Sequence, residues 1–450
     1  MTLVIVTILI LCYVLIATER ITNVNKAAVA IFAGTVGWVF YICYGNDFVM
    51  SQHAADYTDF LNGAVATSTA VKEYISRNIF LRYVGRASEI VLFLLCTMTI
   101  VEVLANNGCF DFITQTLKTR SSKRMLWTVS VITLVLSANL DNLTTTIMML
   151  FVLRKVVSNR SQRLIFGSAI LLSANFGGAM TVIGDPTGLL LWNDGHVSAT
   201  AYSMQLILPC LVSWAIPVWW LGRELPERVQ TEWITMPYRG DDTRLSETQR
   251  LIMLIVGIGG LWFIPTFHNI TKLSPFLGAL CVLSLLWIVN EIMNHRLLNS
   301  DILIKHTFPR MLQYSAVQMI LYVMGIMLAV GVVKETGAFD WLWSQMTGVR
   351  DNVWFIGLVS GLISVVLDNF ATAMSMITLN PDSALNADYW MMVAFAVTVG
   401  GNILCTGSMA GLMLMKTEKV RGGWYLRHVG VKALCGGLVG LLVMYLICLH

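Results

Sequence analysis

Apolar stretches of bilayer-spanning length follow one another along this chain from Thr2 to Cys448, separated by mostly short polar loops. The hydrocarbon core of a bilayer is about 30 Å thick, so a helix needs about 20 apolar residues to cross it, and every backbone polar group inside must be bonded internally. Runs this long and this continuously apolar are helices, and the chain is expected to be an all-α polytopic membrane protein. Composition agrees: 56% of residues are hydrophobic and 12% are charged, about half of the ~25% charge of a soluble domain. Lys and Arg sit between apolar runs and form no basic stripe, so no nucleic-acid partner is expected. The nine cysteines include no Cys-x-x-Cys pair and the seven histidines are dispersed, so neither a metal cluster nor a cofactor is expected. The first apolar segment lacks a basic flank and a small-residue cleavage pattern, and reads as a first span.

Full spans are expected near 2–18, 27–44, 87–106, 164–192, 203–222, 250–267, 273–290, 315–333, 389–413 and 430–448. Two further apolar stretches, about 125–153 and about 353–380, are too short for two crossings. The first has basic residues at both ends (Lys123 and Arg124, then Arg154 and Lys155), so a single crossing would place one cluster on the wrong side. Both read as re-entrant hairpins. Alternation then puts both termini outside, Gly45 to Ala87 in a long outer loop, and most basic residues, Arg20 and Lys26 among them, in the cytoplasm.

The hairpin tips carry the same triplet, Leu140-Asp141-Asn142 and Leu367-Asp368-Asn369, 227 positions apart. Asn175 and Asn402 recur at the same spacing, each at a Gly-rich interruption of a long apolar helix: Asn175-Phe176-Gly177-Gly178 leading to Gly184-Asp185-Pro186, and Gly400-Gly401-Asn402 leading to Gly407-Ser408. The expected fold is therefore an inverted repeat. Each half has five transmembrane helices plus one re-entrant hairpin, with broken helices at the midplane (about 164–192 and about 389–413). Residues 1–222 form the first half, 223–249 a cytoplasmic linker and 250–450 the second half. Interrupted segments at matched positions of two such halves are the sequence mark of a midplane transport site. Gly108 to Thr119 and Gly337 to Thr347 read as amphipathic helices along the membrane surface.

An aspartate in hydrocarbon costs about 2.5–3.5 kcal/mol on insertion scales and signals function. Asp141, Asn142, Thr144 and Thr145 at one tip, Asp368, Asn369 and Thr372 at the other, and Asn175, Asp185, Asn402 and Ser408 at the helix breaks supply carboxylate, amide and hydroxyl oxygens. These are hard donors suited to sodium, with Asp141 and Asp368 as the metal-holding pair. A carboxylate stripped of water also takes a proton readily, so sodium and protons compete for it and exchange follows. The plainer reading, that these aspartates only cap broken helices, stands beside it.

The run Ser137-Ala138-Asn139-Leu140-Asp141-Asn142-Leu143-Thr144-Thr145-Thr146, with Ser173-Ala174-Asn175-Phe176-Gly177-Gly178, Ile183-Gly184-Asp185 and Leu191-Trp192, resembles the NhaD-type sodium/proton antiporters of the ion transporter superfamily. The likeness covers nearly the whole chain. It implies exchange of sodium or lithium for protons by alternating access, a scaffold-and-transport fold that is commonly a homodimer, and residence in a bacterial cytoplasmic (inner) membrane. Gly184-Asp185-Pro186 also leans toward the anion-pumping relatives, which keeps a sodium-coupled carboxylate symporter or an oxyanion permease as the alternative. An intramembrane aspartyl protease with an Asp141/Asp368 dyad is disfavoured, because Val182-Ile183-Gly184-Asp185 lacks the first glycine of Gly-x-Gly-Asp. No enzyme activity is expected.

Overall fold

A computed structural model describes residues 1–22, 24–117, 119, 121–229, 245–294, 310–346, 348, 352–380 and 384–448. Most of the linker expected at 223–249 lies outside them. The regular structure of the described residues is helical apart from one isolated bridge, Ser121 to Arg228. In chain order the main helices are α1 (Thr2–Ala17), α2 (Lys26–Cys43), α3 (Ser68–Asn106), α4 (Ser122–Ser137), α5 (Asn142–Val156), α6 (Arg160–Ala179), α7 (Pro186–Asn193) and α8 (Ala199–Leu221). They continue as α9 (Glu247–Thr271), α10 (Pro275–Asn294), α11 (Arg310–Glu335), α12 (Val353–Val366), α13 (Asn369–Leu379), α14 (Asp388–Ile403), α15 (Met409–Glu418) and α16 (Gly422–Ile447). Among the described residues seven of these, namely α2, α3, α8, α9, α10, α11 and α16, contain an apolar window long enough to cross a membrane. This is an integral, multi-pass membrane protein.

Four pairs of helices occupy the stretches expected to be hairpins or broken spans: α4 with α5, α6 with α7, α12 with α13, and α14 with α15. The turn between α4 and α5 contains Asp141, and that between α12 and α13 contains Asp368. The short amphipathic segments appear as helices Asp111–Thr116 and Ala338–Gln345.

The expected outer loop from Gly45 to Ala87 is corrected. It folds as helices Gly45–Gln52 and Ala54–Leu61 and as the first half of α3, which runs unbroken for 39 residues, roughly 58 Å at 1.5 Å per residue. Charge alone suggested a loop, but the apolar positions keep helical spacing. Val71, Tyr74, Ile75 and Ile79 are buried, while Glu73 and Arg77 pair one turn apart on the outer face.

Packing sorts the helices into two bodies. α1, α2, α3, α9, α10 and α11 pack on one another as a frame, whose tightest seam joins α2 to α11. There the backbones nearly touch: a Cβ on Gly325 would lie 2.5 Å from the Ile31 amide nitrogen. The inner body holds α4 to α8 and α12 to α16. Buried Glu418 at the end of α15 ties three of its helices together, pairing with Arg154 of α5 at 2.7 Å and Arg163 of α6 at 3.2 Å. The bodies meet mainly where α11 touches α5 and α13 and where α3 touches α7.

Candidate functional site

The turn after α4 is closed by its own polar groups. The Asn139 side-chain amide donates back to the Val135 carbonyl at 2.6 Å, and the chain extends at Asp141 (φ −69°, ψ 151°) before α5 begins. Asp141 Oδ1 accepts the Leu143 and Thr144 amides, both at 2.9 Å, in an N-cap. Its Oδ2 is buried and has no partner, as are the hydroxyl of Thr145 one turn on and Oδ1 of Asn175. Thr144 is likewise buried. Buried polar atoms are ordinarily bonded, so these three unpartnered oxygens stand out.

The tip is strapped to the break between α6 and α7. The Asn142 amide donates to the Gly184 carbonyl at 3.2 Å, and its side-chain nitrogen donates to Asp185 Oδ1 at 2.9 Å. Asp185 holds the N-cap position of α7, with Pro186 as the first helical residue. The second half repeats the join: Asp368 Oδ1 accepts the Phe370 amide at 3.1 Å, and the Asn369 amide donates to the Gly407 carbonyl at 3.2 Å. The Thr372 hydroxyl turns back to the Asp368 carbonyl at 3.0 Å. Ser408 caps α15 by accepting the Gly411 amide. Between the two breaks, the Asn175 side-chain nitrogen donates to Asn402 Oδ1 at 2.9 Å and to Ser408 Oγ at 3.0 Å.

Four helix N-termini thus meet. Asn142 of α5, Asp185 and Pro186 of α7, Asp368, Asn369 and Phe370 of α13, and Met409 of α15 line one small internal cavity, and Met319, Tyr322 and Val323 of α11 close it. Helix N-termini carry partial positive charge, which offsets part of the cost of burying carboxylates there. Asp141, Asp185 and Asp368 are each at most 4% exposed. Asp185, rather than Asp141, stands beside Asp368 in the cavity wall, and the residue that α5 contributes there is Asn142. Asp141 caps the same helix one position back, so capping and a free carboxylate oxygen coexist in one side chain.

The family model described as citrate transporter matches residues 13–400 of this chain. The chain belongs to the citrate transporter family. It is 33% identical over 79% of its length to a protein of Arabidopsis thaliana named sodium/proton antiporter 1, of which it spans 61%, less than two thirds. It is 31% identical over 80% of its length to sodium/proton antiporter 2 of the same plant, spanning 85% of that protein. To the Na(+)/H(+) antiporter NhaD of Vibrio parahaemolyticus it is 24% identical, over 73% of this chain and 82% of that one. The resemblance to NhaD-type antiporters drawn from the sequence is upheld by these likenesses, and membership of the family makes the chain a transporter.

This citrate-transporter-family chain holds one site residue that its sequence hid. Lys26, expected in the cytoplasm, is 3% exposed, and its Nζ donates to Asp368 Oδ2 at 2.7 Å. The same ammonium lies 4.6 Å from the centre of the Tyr322 ring. Lys26 is the first residue of α2, where the helix dipole disfavours a cation, and Asp368 offsets that cost. Ser137, quoted only as the start of the resemblance run, and Ser364, unremarked, also brace the breaks. They stand 227 residues apart, and each donates to a backbone carbonyl of the adjacent broken helix, Ala174 at 2.6 Å and Val397 at 2.7 Å.

Proposed function

We propose that this protein exchanges sodium or lithium for protons across the membrane, with Asp141, Asp185 and Asp368 as the acidic groups for which the two cations compete. The observation that carries this reading is the cavity at which four helix starts meet, with Asp185 and Asp368 in its wall and the unpartnered Asp141 oxygen buried next to it in sequence. A buried carboxylate needs a cation or a proton. Asn142, Asn175, Thr144, Thr145, Asn369, Thr372, Asn402 and Ser408 hold the tips and breaks in register or add oxygen ligands. The relatives named as sodium/proton antiporters support the same reading.

In this proposal residues 1–222 and 250–450 are halves of opposite topology, α4/α5 and α12/α13 are re-entrant hairpins, and the inner body moves against the frame to face each side in turn. Opening toward one side admits sodium to the carboxylates; opening toward the other lets protons displace it. Coupling needs nothing beyond this competition, because a carboxylate holding one cation cannot hold the other. A carboxylate symporter is the second reading, favoured by the family description and by helix N-termini, which suit anions; three aspartates already placed at those termini oppose it.

The test is sodium-dependent proton movement in everted vesicles of an antiporter-deficient bacterial strain. Wild type is expected to dissipate the pH gradient on adding sodium or lithium, and Asp141→Asn and Asp185→Asn are each expected to lower the rate at least a hundredfold. Full exchange in both variants, or sodium-stimulated uptake of labelled citrate without proton exchange, would exclude the proposal.

A further inference from the structure

Lys26 and Asp368 form an ion pair between the two bodies. Lys26 opens α2, which is packed against α11 in the frame, whereas Asp368 caps α13 in the inner body. Both side chains are at most 4% exposed, so water replaces neither partner. Asp368 Oδ1 is engaged by the Phe370 amide, and Oδ2 is taken by the Lys26 ammonium at 2.7 Å. In the first half the matching oxygen, Asp141 Oδ2, is free. The two tips share the Leu-Asp-Asn triplet and the backbone bond to the adjacent break; Asp141 Oδ1 accepts two amides and Asp368 Oδ1 one, and the Asp368 tip carries a protein-borne cation.

We infer that Lys26 is a stationary cation that competes with soluble sodium for Asp368 and so favours this conformation of the carrier. The inference rests on the exchange reading given above and adds to it a residue that sets apparent affinity. Because Lys26 is anchored in the frame, any displacement of α13 by a few ångströms breaks the pair and leaves a buried carboxylate uncompensated unless another cation arrives. Sodium or a proton at Asp368 supplies that charge. The Tyr322 ring, which borders both the ammonium and the cavity, gives the displaced ammonium a cation–π partner within the frame. Such a device ties movement of the inner body to occupancy and suppresses return of the empty carrier without cargo.

The experiment uses the full chain in liposomes, with proton flux driven by sodium chloride at fixed pH and N-methylglucamine chloride as the control. Lys26→Met is expected to lower the apparent KM for sodium at least tenfold, because the competitor is gone. An unchanged or higher KM in this variant, with normal exchange by wild type, overturns the role given to Lys26 and leaves the exchange reading intact. A wild type without sodium-dependent flux defeats the exchange reading itself, and the inference with it. Should Lys26→Met fail to assemble, amide hydrogen exchange of the wild-type protein decides. Saturating sodium is expected to speed exchange severalfold at the first turn of α2 and the first turn of α13, and unchanged or slower exchange there overturns the proposal.

Discussion

Gly178 and Gly184 show how little room the first helix break allows. A Cβ on Gly178 would stand 2.5 Å from the Gly184 carbonyl oxygen, and one on Gly184 would stand 2.5 Å from the Ser137 carbonyl oxygen. Backbone atoms cannot yield as a flexible side chain would, so Gly184→Ala is expected to destabilise the protein by about 1–3 kcal/mol. Thermal unfolding in detergent measures this, and an unaltered transition would contradict it. Asn175 acts at the same scale. Asn175→Ala leaves the buried Asn402 oxygen without its donor, at a cost of about 1–3 kcal/mol, and is expected to slow sodium-dependent flux even where the protein still assembles. The aspartates were legible because a carboxylate inside an apolar run stands out whatever the fold. Lys26 was not, since a lysine at the edge of a span ordinarily extends its ammonium to the membrane surface, and only the tertiary structure shows it turned inward to Asp368.

Helices as units were legible where length and charge decide. The α4/α5 and α12/α13 pairs lie over the two apolar stretches that stood apart from the full spans. The breaks were legible from Gly, Pro and Asn, with α6 ending at Ala179 and α14 at Ile403. The first half of α3 was not, because polar residues on its outer face masked a helical period of buried ones. The two short helices before it place His53, at their junction, against Glu335 at the end of α11. His53 Nε2 and Glu335 Oε2 are 2.6 Å apart, and the Tyr83 hydroxyl donates to Glu335 Oε1 at 2.6 Å. The bond to Glu335 raises the His53 pKa above its ordinary 6.5, helped by the charge of Asp56 and opposed by burial and by Arg82. A raised histidine pKa stabilises the fold below 6.5, and the gain is lost as pH rises through the raised value. His53→Gln is therefore expected to cost about 1–2 kcal/mol at pH 6 and much less at pH 9. Unfolding transitions at the two pH values check this, and an equal cost at both would contradict it.

Across the whole molecule, the division expected from the sequence and the observed packing differ. Sequence matching cuts the chain near the linker, into two halves. Packing instead draws α1, α2 and α3 from the first half and α9, α10 and α11 from the second into the frame, and five helices from each half into the inner body. That division could not be read from hydropathy, because frame helices such as α2 and α11 are as apolar as inner ones such as α8. It rests on close approaches such as that of Gly325 to Ile31. Asp368 lies in one body and its partner Lys26 in the other, so under the proposed exchange the occupancy of Asp368 and the movement of the inner body are linked. Titration of sodium chloride into purified, weakly buffered protein near neutral pH, with a proton-sensitive dye, tests the competition most directly. Sodium is expected to release protons in proportion to the sites filled, with an apparent affinity that weakens as pH falls and a release that vanishes in Asp185→Asn. Sodium binding without proton release, or release unchanged in that variant, would contradict competition at these aspartates.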